Sequence, residues 1–291
     1  MKDHETTARS RELGIELRRA REQIGYTGGQ LARKLGWSGS RISRLEGGTR
    51  GASAVDVATF LGFCQVSGPE RDRLMALCRE VYSSTWLRPH GGALPDELFT
   101  LILHETTASR IISYEPHVIP GLLQTEDYTR ALFRWGPFIN EDGIEPLVQA
   151  RLNRQDLRRR QEHGELIFFI PEHVLRSPVG NNRIMNEQLL RMALISGRTR
   201  YLIRVVLASA GPVGALGGPF CLMEYADHRP VAYVETPTSS LFLEEPREVQ
   251  AYRTTLGQLA RIALDEGQSR EFIARLASDY DPPEENSDGL D

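Results

Sequence analysis

Between Gly28 and Leu45 the apolar residues fall at Leu31, Leu35, Trp37, Ile42 and Leu45, with small Ala32 and Gly36 among them. No other stretch of the chain is as tightly constrained. Two short helices that cross steeply need a small side chain where their backbones approach, and Ala32 supplies it. The tight turn between them needs a residue that accepts positive φ, and Gly36 does so. The spacing therefore predicts a helix capped by Thr27 and running to about Leu35, then Gly36-Trp37-Ser38, then a short helix from about Gly39 to Glu46. Leu13, Leu17, Ala20 and Ile24 predict an amphipathic helix of roughly three turns before this pair, ended by Gly25. Further helices are expected from Ser53 and from Pro69, where proline suits a first helical turn.

The same spacing suits a helical hairpin in an unrelated all-α domain, so the polar face decides. Ser38, Ser40, Arg41, Ser43 and Arg44 cluster on the third helix and its approach, with no acid before Glu46. Short hydroxyls and arginines match base edges and phosphates in a major groove. Charge is also asymmetric. Residues 1–50 hold 11 of the 35 Lys/Arg and 6 of the 39 Asp/Glu, leaving 24 against 33 in the remainder of a chain whose net charge is −4. A basic head on an acidic body points to a polyanionic partner for the head alone.

Residues Thr27 to Gly48 (TGGQLARKLGWSGSRISRLEGG) resemble the XRE-type helix-turn-helix of phage-repressor-like regulators. The resemblance implies base reading by Gly39, Ser40 and Arg44, with Arg41 near a phosphate. Gly39 has no side chain to read with, and Gly47 stands where the family carries Asn in Glu-Asn-Gly. The candidate DNA-contacting set is Thr27, Ser38, Gly39, Ser40, Arg41, Ser43, Arg44 and Arg50.

Residues 83–94 contain Pro89 and Gly91-Gly92 and read as a linker between a head over 1–82 and a body over 95–278. From Pro95 the pattern predicts helix through about Ser113. Ile119-Pro120-Gly121 is a turn, Thr125 caps a helix, and 146–161 are helical with Arg151, Arg154 and Arg158 on one face, expected to be a solvated stripe. Short strands are expected at 166–170, 201–207, 220–225, 231–235 and 241–243, a helix around 185–192, and two helices over 248–265 and 269–276. The fold class is therefore an all-α helix-turn-helix domain followed by an α+β domain. Its sheet should be mostly antiparallel, since the strands near 220–243 are too closely linked for crossovers. Residues 279–291, with six acids and no base, are expected to be a disordered tail.

No metalloprotease, nucleophile-elbow, P-loop or dinucleotide motif is present. The neighbours His104-Glu105 and Glu172-His173 are candidate acid/base pairs, although adjacent residues rarely face one site. Three cysteines without C-x-x-C spacing indicate neither a disulfide framework nor a zinc site. The first ten residues lack the apolar core of a signal peptide. The charge-free stretch 205–223 is interrupted by glycines and prolines, so turns are expected there rather than a membrane span. No cofactor, no metal and no membrane partner are expected, and the location expected is cytoplasmic.

The body resembles the antitoxin-like C-terminal domain of actinomycete XRE regulators, the WhiJ-like group. The resemblance rests on YEPHVIPGLLQTEDYTRALF (114–133), RLNRQ (151–155), LRSPVG (175–180), GPVGALGGPF (211–220) and YVE (233–235). It implies a transcriptional regulator that meets a small partner protein encoded nearby; the head is expected to bind a double-stranded DNA operator, as a homodimer because one head has few base-reading side chains. The resemblance implies no catalytic residue. Two other readings are an antitoxin-like module whose main role is to sequester a partner, and an enzyme whose site lies unrecognised in the body. For the apolar run Val118 to Leu123, core and partner groove are both open.

Overall fold

The computed structural model describes residues 6–49, 53–79, 85–89, 96–137, 139–160, 164–236 and 239–280. The chain forms two compact units. The first comprises Met1–Leu87 with Glu224–Val231 and Leu241–Val249, and the second Arg88–Met223 with Ala232–Ser240 and Gln250–Asp291.

Five helices build the first unit: α1 Ala8–Gln23, α2 Gly28–Leu35, α3 Gly39–Glu46, α4 Ala54–Phe63 and α5 Gly68–Arg79. Their apolar stripes meet in one core, in which Leu17, Leu31, Ile42, Val57, Phe60 and Leu61 are almost wholly buried. Thr27 caps α2 and Ser38 caps α3, each accepting from the backbone N–H three residues on. Gly36 turns the chain between them at φ +65°. These elements lie where the sequence places them.

α1 starts earlier than expected. Its first turn is capped by Thr7 and holds Arg9, Ser10, Arg11 and Glu12, all buried. Apolar periodicity could not reveal a polar turn taken into the interior. Ser10 donates to the Gly48 carbonyl at 2.7 Å. Arg11 stacks on the Tyr225 ring at 4.5 Å, and both Glu244 carboxylate oxygens accept from the Ala8 N–H at 2.7 and 2.8 Å. A carboxylate is favoured at this end of the helix dipole.

The remaining helices are α6 Asp96–Thr107, α7 Glu126–Trp135, α8 Glu141–Arg160, α9 Glu172–Arg176, α10 Asn182–Ile195, α11 Pro246–Ile262 and α12 Glu266–Asp279; all belong to the second unit except the first turn of α11, which belongs to the first. Seven strands, β1 Thr85–Pro89, β2 Arg110–Tyr114, β3 Glu165–Pro171, β4 Tyr201–Val206, β5 Phe220–Glu224, β6 Val231–Glu235 and β7 Ser239–Leu243, form a sheet in the order β1-β7-β6-β5-β2-β3-β4. The sheet is mixed and mostly antiparallel. The short β6–β7 connection closes with Thr236 N–H donating to the Ser239 carbonyl at 2.8 Å.

Two expectations need correction. Residues 110–113 were predicted helical, but α6 stops at Thr107 and β2 follows. β2 pairs in parallel with β3 (Ile112 beside Ile167), and β3 with β4 (Phe168 beside Ile203). A buried strand read as an apolar run directly behind a helix has no period of its own, and parallel pairing needs long crossovers that leave no local signal. Within the expected linker 83–94, Thr85–Pro89 form the edge strand β1. Thr-Trp-Leu is strand-favouring composition, outweighed in the reading by the following proline and glycines. Residues 83, 84 and 90–94 lie outside the described residues. So does the expected tail beyond Tyr280; Asp279 itself closes α12.

Gly14 in α1 faces the end of α3 so closely that a Cβ there would stand 2.5 Å from the Glu46 carbonyl oxygen and 2.9 Å from the Gly48 nitrogen. Both are backbone atoms and cannot swing aside. Gly14→Ala should lower unfolding stability by roughly 1–3 kcal/mol in urea titration, the usual cost of overpacking. Gly29→Ala in α2, where a Cβ meets nothing within 4 Å, should leave stability unchanged or slightly raised.

Candidate nucleic-acid interface

The candidate site is the outer face of α2 and α3. Thr27, Gly29, Gln30, Arg33, Lys34, Ser38, Gly39, Ser40, Ser43 and Arg44 are all exposed, and none is acidic. This follows from the helical periods: Leu31, Ala32, Ile42 and Leu45 turn inward to the core, which leaves the intervening positions outward.

The predicted contact residues differ in what they already do. Thr27 and Ser38 are helix caps, with Thr27 Oγ1 accepting from Gln30 N–H at 3.3 Å and Ser38 Oγ from Arg41 N–H at 3.2 Å. Each satisfies one N–H of a helix start and leaves the others of that turn, at the end of the helix that favours anions. Ser40 Oγ lies 3.1 Å from Ser38 Oγ. Ser43 and Gly39 are exposed beside them. Arg44 is exposed and makes no ion pair with any described residue. Its charge is available.

Arg41 is placed differently. Its Nη2 lies 2.6 Å from Asp56 Oδ1 on α4, and its guanidinium stacks 4.2 Å from the centre of the Trp37 ring. The pair is partly exposed, so it is worth only about 0–1 kcal/mol, but a phosphate would have to compete with Asp56 for Arg41. Arg50 lies outside the described residues.

Sequence reasoning missed the group that aims this face. Glu46, read only as the first acid after the basic cluster, points inward, where its two carboxylate oxygens accept from Arg21 Nε at 2.6 Å and Nη2 at 2.8 Å. Arg21 also donates to the Tyr26 carbonyl at 2.6 Å. The bond to Glu46 holds the Arg21 guanidinium above its ordinary pKa. This bidentate pair locks the C-terminal end of α3 to α1 and to the turn before α2. The chain reversal after it falls to Gly48, at φ +63°, while Gly47 keeps a right-handed conformation.

The residues of the candidate acid/base pairs have other partners in three of the four cases. Glu105 sits 3.2 Å from Arg154. Glu172 accepts from the Ala208 N–H and from Arg176, while the His173 ring bonds the Pro116 carbonyl at 2.8 Å. Among the described residues no cluster of His, Cys, Asp and Glu could hold a metal ion, and no helix is long and apolar enough to cross a membrane.

Two family models match parts of the chain. Residues 12–74 match a helix-turn-helix domain, the segment that spans the five-helix core and the α2–α3 face. Residues 98–275 match a domain of unknown function, DUF5753. No curated protein matches the chain. The DUF5753 match covers well over half of the sequence, and the chain belongs to the DUF5753 family, with a helix-turn-helix domain at its N-terminal side.

Proposed function

We infer that this protein is a sequence-specific DNA-binding transcriptional regulator of the XRE type, acting in the cytoplasm. The observation that carries the reading is the exposed, acid-free face of α2 and α3, on which Arg44 has no competing carboxylate. A helix N-terminus flanked by Ser38, Ser40 and Ser43 suits a phosphate backbone, and one free arginine suits a guanine edge. Gly39 contributes no side chain, so one head carries few base-reading groups. Pairing two heads on an inverted repeat supplies the missing specificity, which supports a homodimer.

In this reading the C-terminal domain receives a signal or a partner and performs no reaction of its own. The small-partner role rests on the resemblance of the body to antitoxin-like domains. The run Val118 to Leu123, open as core or groove, divides: Ile119 and Leu123 are fully buried, and Val118 and Leu122 are half-buried.

Mobility-shift titrations on DNA selected by the protein test the reading. Arg44→Ala should cost roughly 1–3 kcal/mol of binding and relax preference at one base position. Arg41→Ala should weaken binding to all sequences alike. Its salt slope should fall by less than the ~0.9 expected for a free cation, because moving Arg41 to a phosphate leaves Asp56 uncompensated. Full affinity in both variants would remove α3 as the reader.

The dimer is tested by footprinting with measured stoichiometry. Two chains per site and protected half-sites centred about 34–36 Å apart, or a multiple of that, are expected. A one-to-one complex on a single asymmetric half-site would refute the pairing.

A further inference from the structure

Within the second unit a cavity of about 590 Å³ opens between α6, α7, α8 and the β2, β5 and β6 strands. That volume lies in the range of sites for drug-sized molecules. Four of the segments that carry the resemblance of the body place residues on its wall: Gly121 and Leu122 from the first, Arg151 and Arg154 from the second, Phe220 from the fourth and Tyr233 from the fifth. The α2–α3 face makes no use of them.

The arginine stripe of α8 is therefore not solvated, as the sequence suggested, but turned inward. Arg158 is buried, and Arg154 lies 3.2 Å from the buried carboxylate of Glu105. That contact is an ion pair without hydrogen-bond alignment, since neither Arg154 Nε nor Glu105 Oε2 finds a proper partner. Arg151, one turn earlier, forms no ion pair with any described residue. It donates from Nη1 to Gln124 Oε1 at 2.7 Å and stacks 4.5 Å from the centre of the Phe133 ring. Gly121 makes room for both guanidiniums: a Cβ there would stand 2.8 Å from Arg154 Nη2 and 3.6 Å from Arg151 Nε.

A guanidinium oriented by an amide and a ring, but lacking a carboxylate, is costly inside a protein unless an anion completes it. Its surroundings register that cost. Desolvation first, and the neighbouring Arg154 second, push the Arg151 pKa down to about 10. Two further acids line the wall, and neither makes an ion pair with Arg151: burial pushes the Glu115 carboxyl up to about 7, while Glu235, whose charge favours the Arg151 cation from a distance, accepts from the Tyr233 hydroxyl at 3.2 Å. The rest of the wall is mostly apolar, aliphatic and aromatic, with Phe133, Phe168 and Phe220 inside and Trp135, 80% exposed, at the rim.

We propose that this cavity is a binding site for a small organic anion, with its anionic head on Arg151 and an aromatic body between Phe133, Phe220 and Trp135. Arginine suits such a head because its planar fork matches a carboxylate or sulfonate with two parallel hydrogen bonds. Trp135, exposed at the rim, is then the ring that covers the ligand. The site does not depend on DNA binding by the first unit, and it can be tested apart from it.

The probe is 1-anilinonaphthalene-8-sulfonate, an aromatic monoanion, compared with N-phenyl-1-naphthylamine, which has the same rings without the sulfonate. Fluorescence titration of the full chain should show saturable one-to-one binding of the sulfonate, at least tenfold tighter than the neutral amine. Arg151→Gln should weaken the sulfonate at least tenfold and leave the amine within twofold. Trp135→Ala, a surface change with no expected effect on the melting temperature, should weaken both about threefold and guards against misfolding of the arginine variant. Absence of saturable sulfonate binding, equal affinity for the two probes, or unchanged binding in both variants would overturn the site.

Discussion

The buried bidentate pair between Arg21 and Glu46 fixes the geometry on which the N-terminal domain depends. α3 is only eight residues long, too short to hold its direction by helical propensity. Ile42 and Leu45 seat one side of it on the core. The Glu46 carboxylate, held by Arg21, then sets its far end against α1 at a separation that only Gly14 permits. With that end fixed, Ser40, Ser43 and Arg44 share one outward face. Removing Arg21 would leave Glu46 only the longer contact to Arg18 at 3.4 Å, and removing Glu46 would leave Arg21 only the exposed Glu22 at 3.5 Å; breaking a buried pair typically costs about 3–5 kcal/mol, and these second partners reduce that.

The head was legible in the sequence because its constraints are local. Caps at Thr27 and Ser38, a left-handed glycine at Gly36 and inward residues at period 3.6 each leave a mark within a few positions. What was not legible is long-range or polar. The first turn of α1 buries Arg9, Ser10, Arg11 and Glu12, and a window of composition reads such residues as solvent-facing. Glu46 was seen as the acid bounding a basic face, because nothing local says that it reaches back to Arg21. Arg41 was read as a free cation, because Asp56, its partner, lies on another helix.

The body shows the same division more sharply. Its strands near 220–243 were found from alternation and turn residues, but β2 merged with the helix before it, and the parallel arrangement of β2, β3 and β4 could not be seen. The arginines of α8 illustrate why. Their spacing correctly placed them on one face, yet whether that face meets water or a cavity depends on Gly121, Glu105 and Gln124, which lie far away in sequence. A helix wheel gives the face and says nothing about what covers it. Arg151 is distinguished from a surface arginine only by its partners.

The central claim is that the exposed face of α3 enters DNA, and a tethered cleavage reagent tests it most directly. Cys64 and Cys78 are buried, and burial pushes both thiols, and that of Cys221, up in pKa. A cysteine introduced by Ser40→Cys is thus the reactive one, and an iron–EDTA group attached there reports its neighbours. On DNA selected by the protein, strand cleavage should be confined to a few adjacent nucleotides within each protected half-site. Cleavage that is absent, or spread evenly along DNA that the labelled protein still binds, would contradict the account.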